Sequence, residues 1–368
     1  MKVAIVHDYL SQMGGAERVV VALHRLFPTA PIYTSIFDPG STWPELRTAD
    51  VRATWMQRLP GMPAHFKKYL LLYPLAIESM PLSGYDLVLS SSSAYAKAAR
   101  AGAGALHVCY CHNPMRFIWD YDRYVRGERV GPAARALLPL ARISLRRWDL
   151  RTAGRPHAYI ANSSAVAERI RRYYGRSSEV IPPPVRLGPE PTGDPPGDYY
   201  LVVSRLSGYK RLDLAIEAFN RLGLPLIVVG DGPVRAELER QASPHIRFLG
   251  RRPDQEVAAL YAGCRGLVVP GEEDFGITQV EANAAGRPVI AYARGGALDI
   301  VVDGTTGILV PAQTVDAIAE GVRRAEATRW DARAIRRHAE RFGEASFRDR
   351  LVAFLEGLLG GPLPSAGP

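Results

Sequence analysis

The sequence predicts an α/β protein of two doubly wound domains, each a parallel sheet covered by helices on both faces. Three observations carry that expectation. Short, continuously apolar segments recur along the chain and alternate with segments of helical apolar spacing, as strands buried on both faces require. The alternation breaks once, at "IPPPVRLGPEPTGDPPGD" (181–198), which is rich in Pro and Gly and has no period. A length of 368 residues is long for one core and ordinary for two. The expected division is a first domain over 1–185, a linker over 186–198, a second domain over 199–345, and a closing helix and tail over 346–368.

In the first half, "KVAIVHDYL" reads as a buried strand and "GGAERVVVALHRLF" as a Gly-rich turn entering a helix. Further strands are expected at "PIYTSIF", "YDLVLSSS", "ALHVCYCH" and "HAYIANSS". Their C-terminal ends carry His7 and Asp8, Ser90 to Ser93, His112 and Asn113, and Asn162 to Ser164. In open α/β sheets, ligands bind at that edge. After the linker the alternation restarts with strands at "YYLVVSRL", "PLIVVGDGP", "HIRFLG", "CRGLVVPG", "RPVIAYA" and "GILVP". "FRDRLVAFLEGLL" closes the chain as an amphipathic helix, and "GGPLPSAGP" reads as a tail.

Composition narrows the class. A hydrophobic fraction of 47% and a charged fraction of 23% are those of a globular protein. No apolar run is long enough to span a bilayer, and the apolar run that opens the chain is too short for a secretory signal, so a cytoplasmic location is expected. The three cysteines, Cys109, Cys111 and Cys264, have no disulfide or zinc spacing, and the C-x-C pair reads as buried filler. The net charge of +9 is uneven: residues 1–185 hold 24 Lys+Arg against 13 Asp+Glu, and the rest 22 against 24. The first half can therefore meet a polyanion (an anionic membrane surface, a phosphorylated lipid or a nucleic acid), or it can carry a solvated arginine-rich surface.

Three strand-end segments of the second half carry chemistry. In "SRLSGYKRLDLAIEAF", Arg205 and Lys210 follow a strand and precede a helix, so charge, donors and helix dipole meet where a diphosphate could sit. In "VVGDGP", Gly230 and Asp231 turn the chain sharply enough for close approach of a ligand. In "GEEDFGITQVEANAAG", Glu273 lies on a loop and Glu281 on the following helix. Eight residues of continuous helix would part them by about 12 Å, too far to share one small group. They suit different parts of an elongated ligand, with the amides of Phe275, Gly276, Ile277 and Thr278 on its middle. A sugar nucleotide presents sugar hydroxyls, diphosphate and ribose hydroxyls in that order.

Arg205 with Lys210, "GDGP", and the Glu273-to-Glu281 segment written E-x7-E together resemble the retaining glycosyltransferases of family 4 over essentially the whole chain. The resemblance implies the GT-B fold: two Rossmann-like domains facing each other across a cleft, with the closing helix crossing back to the first. It implies that Arg205 and Lys210 hold the donor diphosphate, that Glu281 binds the ribose, and that Glu273 accepts from sugar hydroxyls. Gly14 and Gly15 of "MGGAER" would bring backbone near the diphosphate and acceptor. "CYCHNPMRFIWDYDRY" matches the acceptor-domain segment that carries a histidine, here His112, near the reacting centre. His112, Glu273, Arg205 and Lys210 are the expected catalytic group, and Asp8, Asn113 and Arg116 the expected acceptor contacts. Transfer would proceed on the front face with retention, without a firm protein nucleophile, although Asp8, Asp120 and Asp122 stay open as carboxylates for that role. No metal or cofactor is implied, and "DYD" at 120–122 is where a metal site could hide.

The donor leans to GDP-mannose on the resemblance to mannosyltransferases of polysaccharide assembly, with UDP-glucose or another UDP-hexose as the alternative. The acceptor would be a glycan or a lipid-linked glycan. Two basic apolar stretches, "HFKKYLLLYPLAIESM" and "ARALLPLARISLRRWDLRTAGR", leave two readings open: a face on an anionic bilayer, or an inward apolar face with solvated arginines. The first makes the protein peripheral on the inner membrane face. A nucleic-acid binder lacks support, because no recognised module accompanies the basic half.

Overall fold

The computed structural model describes residues 1–121, 132–191 and 196–363; Asp122 lies outside them. The described residues form two units: 1–121, 132–184 and 347–363 in one, and 185–191 and 196–346 in the other.

The first unit is built on a seven-stranded sheet in the order β3-β2-β1-β4-β5-β6-β7. Its strands are β1 (Val3–His7), β2 (Ile32–Thr34), β3 (Val51–Ala53), β4 (Leu87–Ser92), β5 (Leu106–Cys111), β6 (Ala158–Ala161) and β7 (Glu179–Val180). Every pairing is parallel. The period of two is visible in β1, where Val3 and Ile5 join one core and Ala4 and Val6 the other. The first core is completed by Phe347, Leu351 and Leu355 of the last helix, Glu344–Leu359. That helix is therefore structural for this unit: each buried side chain stabilises it by about 1.5–3 kcal/mol. Cys109 and Cys111 share a buried apolar cluster with Tyr159 and Val166.

The second unit carries a six-stranded sheet ordered β10-β9-β8-β11-β12-β13. Its strands are β8 (Tyr200–Val203), β9 (Leu226–Val229), β10 (Ile246–Gly250), β11 (Leu267–Val269), β12 (Val289–Tyr292) and β13 (Gly307–Val310), again all parallel. The chain is packed where the expected first domain meets the linker. Val185 is fully buried and donates its N–H to the Phe342 carbonyl at 3.0 Å, and the Gly188 carbonyl accepts from Arg336.

The helix Pro132–Thr152 packs part of its apolar surface on the first unit. Leu145 and Trp148 are buried in the first unit, and the guanidinium groups of Arg142 and Arg146 lie over the rings of Tyr121 and Trp119 at 4.1 and 4.4 Å. Ile143 and Leu150 of the same helix are exposed, and two of its arginines stack on aromatic faces.

Candidate active site

In the second unit the strand-end loops form one continuous surface, and their contacts follow the strand order. The loop after β9 lies on the loop after β8: Leu206 donates its N–H to the Asp231 carbonyl at 3.0 Å, and a Cβ on Gly232 would meet the Leu206 backbone within 2.2 Å. The loop after β11 touches the same segment further on, where a Cβ on Gly271 would fall 2.7 Å from the Lys210 carbonyl oxygen. The loop after β12 packs in turn on the acidic loop, with the Gly296 N–H donating to the Glu273 carbonyl at 3.0 Å. Backbone thus lies directly on backbone at three successive steps.

This geometry adds a packing role to "GDGP": a Cβ on Gly230 or Gly232 would meet the backbone of Ser204 or Leu206, so the turn supports the Arg205–Lys210 loop. Asp231 is exposed, and its Oδ1 accepts from the Gly232 N–H at 2.8 Å.

On that support, Lys210 and Glu273 meet. The Lys210 ammonium stands 2.5 Å from both carboxylate oxygens of Glu273, with the side chains 15% and 18% exposed. Arg211 follows with φ 53°, the left-handed region that a side-chain-bearing residue avoids, and its guanidinium pairs with Asp213. The chain is thus bent sharply between Lys210 and the helix Leu212–Leu222. Arg205 is exposed on the same loop.

The helix after the acidic loop runs Ile277–Ala284 and begins at Gly276, with φ 103°. There a Cβ would come within 2.2 Å of the Gln279 amide, so glycine is required twice over. The first-turn amides, those of Ile277 and Thr278 among them, have no acceptor within the helix. The Phe275 ring is buried against Phe342, so only its backbone is available to a ligand. Glu281 accepts from the hydroxyl of buried Tyr261 at 3.1 Å, a partner the sequence did not reveal because Tyr261 sits in an ordinary apolar helical pattern.

In the first unit, Asp8, His7, Glu17, Ser91 and His112 lie at the C-terminal strand edge. Asp8 departs from its expected role. Its Oδ2 accepts from the amides of Ser93 and Ala94, and its Oδ1 from those of Tyr95 and Ala96, at 2.6–2.9 Å. All four lone-pair positions are taken, so this carboxylate anchors the loop after β4 and has none left for an acceptor hydroxyl. The space above Gly14 is also filled: a Cβ there would stand 2.6 Å from Glu17 Oε2. Gly15 opens the helix Gly15–Leu26.

His7 and Glu17 are both buried, with Nε2 and Oε1 3.6 Å apart. Burial alone lowers the His7 pKa, but the hydrogen bond and charge of Glu17, with smaller contributions from Asp8 and the Ser91 backbone, raise it overall. His112, 8% exposed, contacts the Ser91 hydroxyl through Nε2 at 2.8 Å, and its carbonyl accepts from Asn162. Asn113 is buried and accepts from Arg169 at 3.3 Å, and Arg116 begins the short helix Arg116–Trp119.

Residues 13–188 match the family model described as Glycosyltransferase Family 4, and residues 191–347 that described as Glycosyl transferases group 1. The chain belongs to this glycosyltransferase family. Among curated relatives, an O-antigen chain mannosyltransferase C of Escherichia coli is 33% identical over 36% of this chain and 37% of its own. A GDP-mannose-dependent alpha-(1-6)-phosphatidylinositol monomannoside mannosyltransferase of Mycolicibacterium smegmatis is 31% identical over 51% of this chain and 56% of its own. The matches thus span about half or less of these relatives. Among solved structures, Anabaena HepE in complex with UDP superposes with a TM-score of 0.72 at 20% identity, over 97% of this chain and 100% of that one. A sucrose-phosphate synthase from Thermosynechococcus elongatus superposes at 0.69 and 19% identity, over 98% and 100%. These likenesses show that this glycosyltransferase has the GT-B fold of its neighbours.

Proposed function

We propose that this glycosyltransferase moves a hexose from a nucleotide diphosphate sugar to a hydroxyl of a glycan or lipid-linked acceptor, with retention at the anomeric carbon. The observation that carries the reading is the meeting of Lys210 and Glu273 on the strand-end surface, between exposed Arg205 and the N-terminus of the helix Ile277–Ala284. Two cations and a helix dipole can hold a diphosphate and offset the charge that develops as it leaves. Glu273 is poised to accept from sugar hydroxyls and Glu281 from ribose hydroxyls. His112 would position the donor sugar, with Asn113 and Arg116 nearer the acceptor.

GDP-mannose is the favoured donor, since one relative is named for it and another for mannosyl transfer. UDP-glucose is the alternative, supported by the HepE structures with UDP and UDP-glucose. A thermal-shift series with GDP-mannose, GDP, UDP-glucose and UDP tests both. A GDP-mannose shift in the wild type that Lys210→Ala abolishes is expected; no shift with any of the four, or one that survives Lys210→Ala unchanged, rejects the donor site.

A lipid-linked acceptor requires access to a bilayer, and among the described residues no helix is long and apolar enough to cross one. Peripheral contact is supported by exposed Leu71 and Leu75 beside Lys68. Binding to phosphatidylglycerol vesicles that Leu71→Glu with Leu75→Glu removes is the expected outcome.

A further inference from the structure

We propose that Ser91, backed by His7 and Glu17, is a positioning residue that determines which ring nitrogen of His112 carries the proton. The inference rests on the reading of His112 as a group beside the donor sugar. Four buried polar groups stand in line. His7 Nε2 is 3.6 Å from the Glu17 carboxylate. His7 Nδ1 is 3.0 Å from the Ser91 carbonyl oxygen and 3.1 Å from its hydroxyl. The Ser91 hydroxyl is in turn 2.8 Å from His112 Nε2.

The donor and acceptor inventory favours one direction along this line. A carbonyl oxygen only accepts, so His7 Nδ1 must carry a hydrogen, and the Ser91 hydroxyl beside it is an acceptor from that side. That leaves the hydroxyl's own hydrogen to donate to His112 Nε2 at 2.8 Å, the arrangement we assign here, in which Nε2 is bare. Neutral His112 therefore holds its proton on Nδ1, across the ring from Ser91, as a fixed hydrogen-bond donor. Glu17 keeps the first link intact. Its carboxylate, 3.6 Å from His7 Nε2, attracts the charged imidazolium and so favours the form of His7 that keeps a hydrogen on Nδ1. Gly14 belongs to the same device, because a side chain there would displace the Glu17 carboxylate. A strand, a turn and a helix start thus converge on one imidazole.

The test uses the full chain labelled with ¹⁵N-histidine and long-range ¹H–¹⁵N spectra, with the His112 signals assigned by their loss in His112→Gln. In the wild type we expect His112 protonated on Nδ1 and bare on Nε2. Ser91→Ala should shift the ring toward the Nε2-protonated form, and Ser91→Thr, which restores the hydroxyl, should reverse that. His7→Phe carries the same expectation if Ser91→Ala does not fold. With GDP-mannose and UDP-glucose assayed in parallel, Ser91→Ala should lower kcat about 10–100-fold with donor KM within about twofold, the scale for losing the partner that orients a working group. A wild-type His112 protonated on Nε2, a tautomer indifferent to Ser91→Ala, or an unchanged kcat overturns the proposal. If neither sugar nucleotide is turned over by the wild type, the transferase reading fails while the spectra still decide the tautomer.

Discussion

Lys210 and Glu273 lie 63 positions apart in sequence, yet the ammonium of one is 2.5 Å from both carboxylate oxygens of the other. The strand order explains the meeting: β8 and β11 are neighbours, and their loops touch backbone to backbone where Gly271 meets Lys210. Removing either side chain takes the opposite charge away from the other at a partly buried place. The pair also sets the state the donor encounters, since a diphosphate must draw Lys210 partly away from Glu273 or bind alongside both.

A double-mutant cycle on donor affinity, with Lys210→Ala, Glu273→Ala and both, should be strongly non-additive. Coupling of about 1–3 kcal/mol is the range for side chains in one ion pair. Calorimetric titration of each variant with GDP-mannose measures it, and additive losses would place the two groups on independent parts of the ligand.

Glu273 and Glu281 should separate by ligand. Glu281→Ala is expected to weaken free GDP and GDP-mannose alike, by about tenfold each, the scale for losing a hydrogen bond to a charged group. Glu273→Ala should weaken the sugar nucleotide and spare GDP. Tyr261→Phe should reproduce a small part of the Glu281 effect, because that hydroxyl orients the carboxylate at 3.1 Å. Titrations with GDP and GDP-mannose, compared across the three variants, decide the assignment.

Where the sequence was legible, a physical pattern repeated. The buried central strands announce themselves as apolar runs, and the helix Ile277–Ala284 by the glycines that bound it. The edge strands β3 and β7 did not, because Val51–Ala53 and Glu179–Val180 are largely exposed and lack such a run. In the site, residue types were legible and their occupants were not. "GDGP" reads as a sharp turn, and its glycines are also the places where Ser204 and Leu206 pack backbone on backbone. Asp8 reads as an acceptor at a strand end, yet the amides that saturate it come from more than 80 residues away. The Glu17, His7 and Ser91 line was equally hidden, since its members lie on three segments joined only by folding.

The new role of Asp8 is testable by stability. Asp8→Ala would orphan the buried amides of Tyr95 and Ala96 along with two more, and each unsatisfied buried donor costs about 1–3 kcal/mol. The first unit should therefore lose at least several kcal/mol, read as a fall in its urea midpoint. Trp43, Trp55, Trp119 and Trp148 lie in that unit and Trp330 in the other, so tryptophan fluorescence reads the first unit once Trp330 is replaced by Phe. A variant of wild-type stability with impaired transfer would return Asp8 to the acceptor site.

The first unit should also respond to pH through two histidines of opposite sense. His107 is buried, with Nε2 2.8 Å from the Ser90 hydroxyl. Burial, joined by the nearby charges of His157, Arg155 and Lys97, pushes its pKa down to about 3. Below 6.5 the unfolded chain takes a proton there that the folded chain refuses, so stability falls with falling pH by about 1.4 kcal/mol per unit until the folded value is reached. His7 acts in the other direction. Its folded pKa is raised, so its contribution is complete below 6.5 and is lost as pH rises through the folded value. Urea midpoints at pH 4, 5, 6, 7 and 8 distinguish the two. His107→Leu with Ser90→Ala should flatten the acid limb by about one proton's slope relative to wild type. Glu17→Gln, which lowers the His7 pKa, should remove the loss above pH 6.5. An acid limb unchanged by the double substitution would mean that His107 accepts its proton without unfolding, and that the burial of its ring does not control the acid stability of this unit.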